Sequence, residues 1–250
     1  MKKLNWQILL GGILIFASAA VYFFHFLIFH DAHHIWIYLI GDIAFVPIEV
    51  LLVTLIIHRL LSQREKQNML EKMNMVIGAF FSEAGMDLLK HLAVLDRNSR
   101  EITSHLKVGE EWSAAEFELA AKAIKEKPCD IKLESGNAAE LSALRDFLMD
   151  KRDFLLRLLQ NPNLLEHDAF TDLLWAVFHA AEELSCRKDI AKLPPEDYAH
   201  LSGDLKRVYE RIVVEWLDYM KHLQKNYPYL FSLAIRTNPF DPETRPEITQ

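Results

Sequence analysis

Two carboxyl groups and a proline interrupt an otherwise apolar run between residues 35 and 57. Asp42 and Glu49 are seven residues apart, so in a helix they lie within about 20° of each other on one face. Pro47 has no N–H to donate to the carbonyl oxygen of Ile43, which leaves a further polar group on the same general side. We interpret Asp42, Pro47 and Glu49 as a polar track. Carboxylates arranged in rings attract cations.

A second interpretation of the acids remains open. Either carboxyl group can be protonated and hydrogen-bonded between helices, and it then holds a helical assembly together without any ion passing through it. The sequence alone does not favour one interpretation over the other.

Histidines cluster in the segment FHDAHH, residues 29–34. His30, His33 and His34, with the carboxylate of Asp31, are ligand types that bind Zn²⁺ or Cu²⁺, so they form a tentative divalent-metal site or a pH sensor. We favour the simpler interpretation, in which these side chains lie at the headgroup level of a membrane and need no metal. Asp31 is also predicted to cap the helix that follows.

The elements that carry these residues are two apolar runs. Residues 8–29 and 35–57 each have about the 20 residues needed to cross a bilayer core. The first 20 residues of the chain have a charged start, an apolar middle and an Ala-x-Ala sequence at Ala17 to Ala19, as a cleavable signal does, but nine further apolar residues favour an uncleaved span. Residues 1–58 are therefore predicted to form a two-span transmembrane hairpin that contacts the lipid bilayer.

The distribution of basic residues predicts the orientation of the hairpin. Lys2 and Lys3 precede the first run, and four basic residues follow the second, whereas the connecting loop has no Lys or Arg. Because Lys and Arg favour the cytoplasmic side, both termini are expected there, in the inner (plasma) membrane of a prokaryote. The four residues after the second run are Arg59, Arg64, Lys66 and Lys72.

Insertion energies indicate that the second run needs partners. Its fifteen Ile, Leu, Val and Phe residues contribute roughly −4.5 to −9 kcal/mol, against roughly +5 to +7 kcal/mol for two central carboxylates. The first run offers few polar partners beyond Ser18, Tyr22 and His25, although its small residues suit close helix contact. We therefore predict a homo-oligomer in which copies of the second run surround an axis.

The remaining 192 residues have the composition of a soluble domain. They contain 26 Lys and Arg against 32 Asp and Glu, and this mild acidic excess argues against nucleic-acid binding. Cys129 and Cys186 are too few and too far apart for a disulfide framework or a CxxC metal site.

Apolar spacing predicts helices throughout this domain. We expect a stalk helix over residues 59–97 that continues the second run, a helical bundle over 98–236 and an extended, proline-containing tail over 237–250. Bundle helices are predicted at 114–126, 138–160, 167–188 and 196–236. Ser113 with Glu116, and Asn137 with Glu140, fit capping boxes.

Catalysis is not predicted. His179 lies near Glu182 and Glu183, and a later segment contains Glu215, Asp218 and His222, but the repeated Glu-x-x-His pairs of iron-binding bundles are missing. The chain also has no glycine-rich phosphate loop, GxSxG or HExxH motif. Structural polar contacts are the favoured interpretation of these residues.

The sequence thus predicts an all-α protein, with a two-span transmembrane helical hairpin that continues into a cytoplasmic helical bundle. The expected function is that of an oligomeric membrane protein with acidic intramembrane residues, a cation-conducting channel gated or assembled by its cytoplasmic domain. The alternative is a membrane-anchored scaffold or sensor whose bundle binds a cytoplasmic protein partner.

Overall fold

The computed structural model describes residues 6–127, 129–162, 164, 167–241 and 243–247. Throughout these residues the regular elements are helices, which confirms the all-α prediction, and an isolated bridge between Asp96 and Ile131 is the only β-type pairing. The chain divides into two compact units, residues 1–66 and 67–250. The α-helices are α1 Trp6–Phe29, α2 Ala32–Phe80, α3 Met86–Leu95, α4 Ser99–His105, α5 Ala114–Glu126, α6 Ala138–Asp150, α7 Arg152–Leu159, α8 Asp168–Ser185, α9 Pro195–Asn226 and α10 Pro228–Arg236.

The first unit contains two apolar helical segments joined by a two-residue turn. His30 adopts the left-handed conformation, with φ 51°, and its N–H donates to the carbonyl oxygen of Phe26 at 2.8 Å. The Asp31 carboxylate then accepts a hydrogen bond from the His34 N–H at 3.1 Å, which confirms its predicted role as the cap of α2. Helix α2 runs without a break from Ala32 to Phe80, so the second apolar run continues into the following helix, but this helix ends at Phe80 and not at residue 97 as predicted for the stalk.

The second unit is built around helices α8 and α9. Helix α9 packs against α3, α5, α8 and α10, and helix α8 packs against α6 and α7. Along α9 the apolar side chains recur at helical spacing on the buried side, where Trp216, Ile212 and Met220 are fully buried. Burial of this apolar surface is the main force that holds the unit together.

A π-helical turn, Phe81–Gly85, joins α2 to α3. Phe80 and Phe81 are both fully buried; the Phe80 ring lies 5.4 Å from that of Phe170, and the Phe81 ring stacks on Tyr219 at 4.9 Å. A Cβ atom at Gly85 would lie only 2.6 Å from the Phe81 ring and 2.9 Å from the Phe80 ring. Glycine at position 85 therefore allows both rings to pack against the backbone of the turn.

Three further local predictions were wrong. The helix predicted at 138–160 is interrupted at Lys151, and the one predicted at 196–236 ends at Asn226 because Pro228 disfavours helical geometry at the residue before it. The Asn137 side chain does not cap α6; its oxygen accepts a hydrogen bond from the N–H of Glu134 at 3.1 Å. The capping box at Ser113 and Glu116 is confirmed.

The described part of the tail forms turns and is not extended. The Asp241 N–H donates to the Asn238 carbonyl oxygen, and the Thr244 N–H donates to the carbonyl oxygen of Asp241. Phe240 is buried, with its ring 5.0 Å from that of Trp216. The tail therefore contributes to the core because its aromatic side chain packs there.

Glu215 is an acid buried within α9, with 4% of its surface exposed. Burial, and to a lesser degree the nearby charge of Asp218, raises the pKa of Glu215 to about 7. The ordinary value is lower, so the unfolded chain loses this proton at a lower pH than the folded chain does. Stability is therefore lost as the pH rises from the ordinary pKa of Glu215 through about 7.

Replacing Gly85 by alanine is expected to lower stability by about 1–3 kcal/mol, because the added methyl group would overlap two buried rings. The matched control is Gly203→Ala in the interior of α9, where a Cβ meets nothing within 4 Å. That change is expected to raise stability by about 0.5–1 kcal/mol. Thermal unfolding followed by circular dichroism measures both, and equal effects of the two changes would contradict the packing described here.

Glu215→Gln is expected to stabilise the protein by up to about 3 kcal/mol at pH 8 and to have little effect near pH 4.5. Glutamine has the shape of the protonated acid but cannot ionise, so the variant escapes the cost of burying a charge. Unfolding midpoints measured across this pH range test the expectation. The exposed Glu196→Gln, in the first turn of α9, serves as the control and should leave the pH profile unchanged.

Candidate functional site

The two acids of α2 lie on a helix that continues through Pro47. Both side chains are exposed within the single chain. The Tyr22 hydroxyl on α1 donates to Asp42 Oδ2 at 3.5 Å, and among the described residues no hydrogen bond or ion pair reaches Glu49. Among the described residues, helix α1 therefore provides one long hydrogen bond to Asp42 and no hydrogen bond to Glu49.

The loop histidines are not all brought together. The His34 ring lies 6.5 Å from that of His25 and stacks on Tyr38 at 4.7 Å, while the Asp31 carboxylate is engaged at the start of α2. Nδ1 of His25 is buried without a hydrogen-bond partner. Within the described chain, His30, Asp31, His33 and His34 do not supply three ligand atoms that all lie within 4.8 Å of one another.

The polar residues considered for catalysis separate into different environments. Glu182 faces Arg152, with its Oε1 3.9 Å from Nη2, and not the neighbouring His179. On α9, Glu215 is buried, whereas His222 Nδ1 accepts a hydrogen bond from Asn226 Nδ2 at 3.0 Å. Glu215, Asp218 and His222 do not form a three-ligand group in the described structure.

A cluster that the sequence analysis did not identify lies between α8 and α9. It consists of His179 and Glu183 on α8 with His200 and Asp204 on α9, and we call it the His/acid cluster. The Nε2 atoms of His200 and His179 lie 3.3 Å and 3.5 Å from Asp204 Oδ2. Glu183 completes it, with Oε2 3.6 Å from His200 Nε2 and Oε1 3.9 Å from His179 Nε2.

Helix geometry explains why these four side chains meet. Each helix contributes a histidine and an acid four residues apart, and side chains at this spacing share a face. His179 faces Asp204 while Glu183 faces His200, so the paired positions run in opposite order along the two helices. This order is that of an antiparallel helix pair.

Two arginines hold the acids of the His/acid cluster in place. Arg187 Nη1 donates to Glu183 Oε2 at 2.7 Å, and its Nε and Nη2 donate to both oxygens of Asp197 at 2.8 Å and 2.5 Å. Hydrogen bonding from Arg187 lowers the pKa of Glu183, so its carboxyl group is ionised at neutral pH. Arg207 Nη1 donates to Asp204 Oδ1 at 3.0 Å and leaves Oδ2 directed toward the imidazoles.

The cluster has a sequence signal that a search for Glu-x-x-His cannot find. His179 is followed by Glu183, and His200 by Asp204, so histidine precedes an acid by four residues on two successive helices. His179 and Glu183 were predicted to share a helical face, whereas no role was predicted for His200 or Asp204. The repeat of this spacing across the turn between α8 and α9 was the available signal.

A groove of about 1200 Å³ is a further surface feature of the second unit. It lies between the end of α2 and the region where α9 meets α10. Its apolar lining includes Leu70 and Leu230, which are 47% and 40% exposed, and Met75, which is 65% exposed. Asp218, Lys221 and Lys225 supply charge to the same lining.

Comparison with known proteins identifies one family over nearly the whole chain. Residues 69–236 match the C-terminal helical domain of the uncharacterized protein MJ1433, and residues 2–61 match the N-terminal helical domain of MJ1433. The chain is 45% identical over 241 residues to the uncharacterized protein MJ1433 of Methanocaldococcus jannaschii, with 96% of each chain covered.

No solved structure matches this chain. The boundary between the two matched domains lies between residues 61 and 69, and the boundary between the two compact units lies between Lys66 and Gln67. The two domain matches occur in the same order as the two units. Because the matches cover most of the chain, it belongs to the MJ1433 family.

Proposed function

We propose that the protein is an integral membrane protein whose first unit spans the bilayer as a helical hairpin. Two helical segments are long and apolar enough to cross a membrane, and none of the most apolar 18-residue window of either one is buried. The core helix of a soluble protein would bury such a window. Lipid is the environment in which exposed apolar side chains over this length are stable.

The observation that carries the proposal further is the position of Glu49 in the apolar part of α2, without a partner among the described residues. A carboxyl group at this depth costs several kcal/mol unless it is paired, protonated or hydrated. Neighbouring copies of α2 can provide such surroundings, so we propose a homo-oligomer in which Asp42 and Glu49 face a common axis.

An axis lined by these acids would tolerate cations, because rings of carboxylates attract them. We therefore propose a cation-conducting assembly in the inner membrane of a prokaryote, with both termini in the cytoplasm. The arginines and lysines that follow the apolar part of α2 support this orientation. In this proposal the helical unit of residues 67–250 assembles or gates the membrane part.

A membrane-anchored scaffold or sensor is the second candidate. The groove beside Met75 and Leu230 supports it, because it places exposed apolar side chains beside charged ones in a concave surface that a protein segment could enter. In this case the spans act only as an anchor, and the acids stabilise helix contacts without conducting ions.

Ion flux in liposomes distinguishes the two candidates. Purified full-length protein is expected to release K⁺ or Ca²⁺ down a gradient while leaving Cl⁻ flux at the level of empty liposomes. The double variant Asp42→Asn, Glu49→Gln is expected to reduce the cation flux at least tenfold, since the amides keep the shape of the acids but remove their charge.

The matched control is Asp31→Asn, which makes the same chemical change outside the apolar segments. Asparagine also caps helices well, so the start of α2 should be preserved and the flux unchanged. Absence of flux from the native protein, or equal flux from the native protein and the double variant, would contradict conduction and favour the scaffold.

A further inference from the structure

The His/acid cluster brings four metal-ligating side chains to one point between α8 and α9. One ligand atom from each of His179, Glu183 and His200 can be chosen so that the three atoms all lie within 4.8 Å of one another. Asp204 Oδ2 lies 3.3 Å and 3.5 Å from the two imidazole nitrogens. The two imidazole nitrogens thus lie near a Glu183 oxygen on one side and near Asp204 Oδ2 on the other.

The spacing of these atoms matches that of ligands around one metal ion. Four ligands at about 2.0–2.1 Å in a tetrahedron are about 3.3 Å apart. The imidazole nitrogens lie 3.3 Å and 3.5 Å from Asp204 Oδ2. The two oxygens of Glu183 lie 3.6 Å from His200 Nε2 and 3.9 Å from His179 Nε2.

Asp204 provides independent evidence that the cluster serves a ligand. Its side chain is only 5% exposed, and Oδ2 is buried without a hydrogen-bond donor in the described structure. The neighbouring imidazole nitrogens are near this oxygen, but neither donates a hydrogen bond to it. Burying an ionised oxygen without a donor is costly, and a cation between the oxygen and the two nitrogens removes that cost.

The surrounding residues resemble the outer shell of a metal site. Metal-ligating carboxylates are commonly held by further hydrogen bonds that fix their orientation. Arg187 binds Glu183 through Oε2, which leaves Oε1 near His179, and Arg207 binds Asp204 through Oδ1, which leaves Oδ2 near both imidazoles.

We propose that His179, Glu183, His200 and Asp204 bind a divalent first-row transition-metal ion. Two imidazole ligands favour zinc, iron, nickel or copper, whereas Mg²⁺ and Ca²⁺ prefer oxygen ligands alone. The ion joins α8 to α9 and stabilises their packing. This metal site lies in the second unit and goes beyond the membrane function proposed above.

Cobalt(II) binding tests the proposal, because the visible absorption of Co²⁺ reports both uptake and coordination geometry. The full-length chain is purified in detergent without a histidine tag, after removal of bound metal. All proteins carry His30→Asn, His33→Gln and His34→Gln, so that the loop histidines cannot contribute to binding. Asparagine is chosen at position 30 because it tolerates the left-handed conformation found there.

The proposal predicts one Co²⁺ per chain, displaced by Zn²⁺ but not by excess Mg²⁺. Asp204→Asn and His200→Gln should each weaken Co²⁺ binding at least about tenfold and change its spectrum. His200 is 54% exposed, so its substitution leaves the buried core intact even if Asp204→Asn unfolds the chain.

Two changes outside the cluster serve as matched controls. Glu182→Gln alters the acid next to Glu183, and His105→Gln removes an exposed histidine on α4; neither should affect Co²⁺ binding. If the unsubstituted cluster takes up no Co²⁺, or if His200→Gln binds Co²⁺ as tightly as the controls do, the proposal is wrong.

Discussion

An ionisable side chain removed from water must be compensated, and under the membrane placement that we propose this constraint acts in both units of the protein. In the first unit, Asp42 has one long hydrogen bond from Tyr22 and Glu49 has no partner among the described residues. In the second, Asp204 presents a buried oxygen without a donor to two imidazoles. Helices α1, α2, α8 and α9 have ordinary helical geometry. The functions that we propose for them depend on these polar side chains.

The compensation that we propose differs between the two units. In lipid, no water and no free backbone group is available, so the acids of α2 need neighbouring protein or a hydrated axis. Between α8 and α9, Arg187 and Arg207 each bind one oxygen of an acid, and the two histidines add coordinating nitrogens. A metal ion suits the second arrangement because its ligands are few, close together and held by rigid helices.

Sequence patterns predicted the helices because apolar periodicity and capping residues act locally. The cap at Asp31, the capping box at Ser113 and the unbroken helix α2 all depend on residues within a few positions of each other. Pro228 also indicated that a helix ends near Asn226. The amphipathic pattern continues on both sides of this proline, however, and it favoured the prediction of one long helix. The π-turn at Phe81–Gly85 was not predictable, since it depends on where Phe170 and Tyr219 lie.

The candidate sites show the same difference between local and tertiary information. Asp42 and Glu49 were identified because an ionisable residue within an apolar run is evident from the sequence alone. His179 and Glu183 share a helix and were noted, whereas their partners His200 and Asp204 come from the next helix. The repeated spacing of histidine and acid shows which side chains share a face of each helix, but whether the two faces meet depends on how α8 and α9 pack.

Cysteine cross-linking within membranes tests the central claim, that the acid-bearing face of α2 meets its own copies. Single cysteines are introduced into a Cys129→Ala, Cys186→Ser background. Val46→Cys and Val53→Cys lie on the same helical face as Asp42 and Glu49, and Ala44→Cys and Leu51→Cys lie on the opposite face. We expect disulfide-linked oligomers at positions 46 and 53 and few at 44 and 51. Equal cross-linking on both faces, or none on either, would contradict the claim.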